Sequence, residues 1–113
     1  MEPIDKAKYI AELLDNKKAK DIEILEIGPL SSIGDYFVIA TGTSTTQVKS
    51  LADEVLEKMK ENYDTDARHI EGYNTSSWIL LDYSDVVVHV FLEESRQFYN
   101  IERLWDEAVK IEL

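Results

Sequence analysis

The chain has no cysteine among its 113 residues, which excludes disulfides, thiolate metal sites, iron–sulfur clusters and cysteine nucleophiles. Proline occurs twice and glycine four times, and no stretch rich in Pro, Gly or Ser divides the sequence. Cations are scarce: 12 Lys and Arg stand against 23 Asp and Glu, a formal net charge of −11. Direct grip on nucleic acid needs clustered cations that release condensed counterions, and attraction to an anionic membrane needs them as well. A basic protein surface suits this chain better than either. Long apolar runs are missing too. Val86 to Leu92 is broken by His89 and falls far below the ~20 residues of a membrane span. Met1 to Lys6 lacks the basic and apolar regions of a secretory signal, and Asn74-Thr75-Ser76 matches the glycosylation pattern by spelling alone. A soluble, cytoplasmic protein is expected.

What is present is an ordinary globular balance, 44% hydrophobic and 31% charged. A chain of this length buries roughly two-thirds of its unfolded surface, so one domain over residues 1–113 can stand without a metal or disulfide staple. Ile4, Ala7, Ile10, Ala11 and Leu14 recur at helical spacing and predict a helix over 3–18, with Pro3 in its first turn. An Ile-rich strand is expected over 21–27, closed by Gly28-Pro29. Tyr36-Phe37-Val38-Ile39-Ala40 is a continuous apolar run, the pattern of a strand buried on both faces, within 35–41. Ser44 and Gln47 form a capping box for a helix to about Asn62, along Val48, Leu51, Ala52, Val55 and Met59. A short strand within 64–71 and a polar loop over 72–77 come next. Trp78 to Asp82 and Val86 to Leu92 read as a hairpin turning at Tyr83-Ser84-Asp85. From about Ser95 a last helix is expected, with Ile101, Leu104, Trp105 and Ala108 on one face. The order points to an α/β fold, a mixed sheet flanked by helices.

Several patterns invite a catalytic reading, and each has a simpler one. The Thr41-Gly42-Thr43-Ser44 turn joins a buried strand to a helix start, where backbone amides can hold an anion. Nucleotidyltransferases place such a turn before paired metal-binding aspartates. The one Asp-x-Asp here, Asp64-Thr65-Asp66, lies about twenty residues later and reads as a solvated turn. No Walker lysine or dinucleotide glycine pattern occurs, so helix capping is favoured over a phosphate site. A nucleotide-binding or nucleotidyltransferase-type enzyme using Gly42 to Ser44 is kept as the alternative. His69 and His89 have no metal-ligand spacing, and no Ser sits in a Gly-x-Ser-x-Gly elbow. No catalytic residue, cofactor or metal site is therefore assigned.

Trp78 opens its strand after the polar loop, sharing a face with Leu80 and Asp82. It is either a core or lid tryptophan or an anchor for a partner, and the residues alone leave both readings open. Asp82 and Asp85 flank the hairpin turn, and Glu93-Glu94 continues from its second strand. These acids make either a solvated surface or an acidic rim facing a basic partner. Pairing of the hairpin with a second copy of the chain would give a homodimer.

Three stretches together resemble the Iojap family of ribosomal silencing factors. They are Asp35-Tyr36-Phe37-Val38-Ile39-Ala40-Thr41-Gly42-Thr43-Ser44, then Trp78 through Val90, and Glu94 through Trp105, with Glu71-Gly72 ahead of the tryptophan strand. The resemblance covers nearly the whole chain. It implies a nucleotidyltransferase-like α/β fold without the metal-binding aspartates, and no enzymatic activity. It further implies binding to the large ribosomal subunit through ribosomal protein fourteen (L14). That binding would block the small subunit and repress translation when nutrients are short. The contact candidates it carries over are Trp78, Asp82, His89, Phe91, Glu93 and Glu94.

Overall fold

Ala7, Ile10, Ala11 and Leu14 form the buried stripe of helix α1 (Pro3–Asn16) in a computed structural model that describes residues 1–113. The helix stops short of Lys18, which adopts a left-handed backbone (φ 66°) and turns the chain into β1 (Lys20–Glu26). The apolar run forms β2 (Tyr36–Gly42), buried from Phe37 to its end. Helix α2 (Thr45–Tyr63) starts on the expected cap. The Gln47 backbone N–H donates to Ser44 Oγ at 3.1 Å, and Gln47 Oε1 accepts from Thr43 N at 2.7 Å. The short strand expected within 64–71 forms as β3 (His69–Glu71), after Asp64 ends α2 in a left-handed conformation (φ 49°). The hairpin forms as β4 (Trp78–Asp82) and β5 (Val86–Leu92), with Ser84 (φ 72°) in its turn.

The C-terminal helix is where the expectation fails. The chain makes two short helices, α3 (Glu93–Tyr99) and α4 (Ile101–Leu104), broken at Asn100 (φ 46°), a residue type that tolerates the left-handed region. It then adds an unexpected strand, β6 (Val109–Ile111). Of the four residues expected on one helical face, Ile101 is buried and Trp105 and Ala108 are half-buried beyond the helix. Leu104 is 78% exposed.

One six-stranded sheet runs in the order β3-β4-β5-β2-β1-β6. The central β2–β5 pair is parallel and the other pairs are antiparallel, so the sheet is mixed and flanked by helices, as expected. Helices α1 and α2 cover one face, burying Ile24, Val38, Ile79, Leu81 and Val88. The other face holds Leu25, Phe37, Ile39, Val87 and Phe91, with Ile101 from α4 packed on them. The hairpin lies inside the sheet, since β4 also pairs with β3 and β5 with β2. It cannot join a second copy by strand addition, and that route to a homodimer is withdrawn. The free edges are β3 and β6.

Candidate functional site

The second face of the sheet is covered unevenly. The α3–α4 segment and Trp105 lie over the half built from β5, β2 and β1. Over β4 and β3 the side chains Trp78 and Leu80 remain half-exposed, and His69 and Glu71 are exposed. Register fixes this arrangement. Leu80 stands opposite Glu71 on β3 and His89 on β5, while Asp82 stands opposite His69 and Val87. Strand alternation therefore puts Trp78, Leu80, Asp82, His69 and Glu71 on one open surface.

Trp78 is held from three sides. Its ring stacks on Phe91 (centroids 4.8 Å apart, 28° between planes) and packs against Tyr99 at 4.9 Å. Its indole N–H donates to His89 Nδ1 at 3.1 Å. Upstream, Gly72 (φ 76°) lies so close to the Trp78 carbonyl that a Cβ would collide with it. The loop between them is tied down by Ser76, whose N–H donates to Gly72 O and whose hydroxyl donates to Tyr73 O, both at 2.9 Å. The Tyr73 hydroxyl in turn donates to Asp53 on α2 at 2.7 Å. The ring thus presents a fixed, half-exposed apolar surface with no free hydrogen-bond donor.

His89 and Phe91 are corrected as contact residues. Phe91 is 0% exposed and His89 is 4% exposed, because α3 and the flanking strands enclose them. They support Trp78 from beneath. Burial pushes the His89 pKa down to about 4, so the ring is neutral near pH 7 and its Nδ1 is free to accept the indole proton. The His89 ring also meets Phe37 edge to face at 4.5 Å.

The acids are not all equally free. Asp82 is half-buried, and its Oδ1 accepts from Ser84 N at 2.7 Å, closing the hairpin turn. Glu93 pairs with Lys20 at 3.1 Å, whereas Glu94 is exposed. Glu71, part of the Glu71-Gly72 pair in the resemblance but not among its contact candidates, adds an exposed carboxylate beside Leu80, where strand pairing places it. Leu80 was accessible to simple alternation from Trp78.

At the Thr41–Ser44 turn, the Ser44 and Gln47 side chains and Thr43 N are spent on the cap of α2. Asp64 and Asp66 both face Lys60, at 3.1 and 3.3 Å, as a solvent-facing turn far from that cap. The geometry at both places is structural.

A family model described as the ribosomal silencing factor during starvation matches residues 1–113. The chain belongs to this family. It is 40% identical over 101 residues to the ribosomal silencing factor of Bacillus subtilis, covering 89% of this chain and 85% of that protein. A chloroplastic Iojap protein of Arabidopsis thaliana is 35% identical over 107 residues, which are 95% of this chain and 44% of that longer protein. Among solved structures, a Chromobacterium violaceum crystal structure superposes with a TM-score of 0.90 at 42% identity, covering 94% of this chain and 88% of that one. Ribosomal silencing factors are regulatory rather than catalytic. No helix is long and apolar enough to cross a membrane.

Proposed function

We propose that this protein silences translation in the cytoplasm by holding the large ribosomal subunit through ribosomal protein L14, so that the small subunit cannot join. Occupancy of the joining surface suffices, and no bond is made or broken. The observation that carries this reading is the fixed, half-exposed Trp78 on an open sheet face with Glu71 and Asp82, in a chain of net charge −11 whose Glu94 is exposed at the start of α3. A large aromatic in an acidic setting matches a basic protein surface, with the ring supplying affinity and the acids steering and register. Glu93 pairs with Lys20 on β1, three strands from β4, and stands apart from this face. The nucleotidyltransferase-like cast of the fold belongs to the same reading, with the turn before α2 kept as a helix cap. A homodimer, if it competes with the subunit, would use this open face or the β3 edge beside it, and sedimentation at rising concentration tests for one.

Cosedimentation with isolated large subunits is the direct test. Truncating a buried interfacial tryptophan costs ~2–4 kcal/mol, so Trp78→Ala should lower affinity thirtyfold or more. Asp82→Asn and Glu94→Lys should have smaller effects that shrink as salt rises. Undiminished binding by a folded Trp78→Ala protein would move the contact surface elsewhere.

A further inference from the structure

The most exposed large apolar side chain in the protein is Phe98, at 81%. It sits on α3 next to Tyr99, and the two rings meet edge to face at 5.1 Å. Tyr99 packs against Trp78 at 4.9 Å, and Trp78 stacks on the fully buried Phe91. The four rings form one unbroken run from the core to solvent.

Phe98 is held outward by the opposite side of its own helix. Arg96, a buried residue, donates from Nη1 to Thr41 Oγ1 at 2.7 Å and to the Asp21 carbonyl. Its Nε and Nη2 donate to Glu102 Oε2 at 3.1 and 3.0 Å, and Nη2 reaches Glu23 at 3.4 Å. These bonds tie α3 to β1, β2 and α4. Two residues further along a helix lie about 200° around its axis, so seating Arg96 inward turns Phe98 to solvent.

We propose that Tyr99 and Phe98 extend the Trp78 surface, so that the partner rests on β4 and α3 together and lays basic side chains across the three rings. This rests on the reading of Trp78 given above. Charge selects the occupant. From Glu93 to Glu107 there are five acids and two arginines; Arg96 is paired with Glu102 and Glu23, and Glu93 with Lys20, which leaves Glu94, Asp106 and Glu107 against Arg103. The Trp78 indole N–H is consumed as well, so the surface offers ring faces and carboxylates, the pairing that suits Arg or Lys with their apolar stems.

The test compares Phe98→Glu and Phe98→Lys with wild type and Trp78→Ala in cosedimentation with isolated large subunits. Circular dichroism and melting serve as folding controls, since an exposed ring contributes little to the core. Both Phe98 variants should bind at least tenfold more weakly than wild type, and Phe98→Lys should be weaker than Phe98→Glu because it repels a basic partner. If both Phe98 variants bind like wild type while Trp78→Ala does not, the extension onto α3 is wrong and the Trp78 reading stands. If Trp78→Ala also binds like wild type, the reading of Trp78 itself has failed. A weaker Phe98→Glu than Phe98→Lys would overturn the basic partner. Loss of self-association alone would assign the ring to a second copy of the chain and overturn the proposal.

Discussion

Acidification should weaken the fold through His89, by an amount that one substitution isolates. The buried ring accepts the Trp78 indole N–H and has a pKa of about 4, pushed down by burial from the ordinary 6.5. The folded state therefore keeps His89 neutral where the unfolded chain has already taken up a proton. This contribution to stability is complete above pH 6.5 and is lost as the pH falls toward 4. The gap of about 2.5 pKa units corresponds to about 3 kcal/mol in full, of which about 2 kcal/mol is gone at pH 5. Urea unfolding of wild type and His89→Gln at pH 7 and pH 5 measures it, because Gln can accept the same indole proton and does not titrate. The carboxylates titrate in both proteins and cancel in the difference. Wild type should lose about 2 kcal/mol more than the variant between the two pH values. Equal losses would show that His89 is not held neutral by burial, and the account of how Trp78 is seated would fail with it.

Gly72→Ala places a Cβ at φ 76° against the Trp78 carbonyl, and should cost about 1–3 kcal/mol and alter tryptophan fluorescence, read by melting and emission spectra. Arg96→Met strips the donors from Glu102, Thr41 and the Asp21 carbonyl and should cost about 3–5 kcal/mol. Arg96→Lys should recover little of that in chemical unfolding, because one ammonium cannot match the guanidinium fork. Ser44→Ala removes the acceptor for Gln47 N and should cost about 1 kcal/mol in the same assay, with subunit binding by the folded protein unchanged.

Most of the scaffold is legible in the sequence because local periodicity and packing agree there. The stripe from Ala7 to Leu14, the run from Phe37 to Ala40, the Ser44–Gln47 cap and the Tyr83–Asp85 turn each bear one consistent local signal. The C-terminal segment misleads for a physical reason. Leu104 continues a helical apolar pattern, but Asn100 adopts a left-handed backbone and rotates the pattern out of register. Strand β6 spans three residues, too few for alternation to declare itself, and exists because β1 has a free side to pair with. At the candidate site, alternation correctly places Trp78, Leu80 and Asp82 on one face and His89 and Phe91 on another strand's matching face. Which columns of that face α3 covers is a tertiary matter. Hence the burial of His89 and Phe91 was not readable, nor was Arg96 as the clamp that orients Phe98.

Silencing by occlusion is read out in subunit joining itself. Small and large subunits, mixed in magnesium and followed by light scattering, form joined ribosomes whose yield can be titrated with this protein. Added to large subunits first, wild type should suppress joining in proportion to the subunits occupied, and Trp78→Ala should need at least thirtyfold more protein for the same suppression. Joining that proceeds unchanged on large subunits saturated with the wild-type protein would contradict silencing by occlusion.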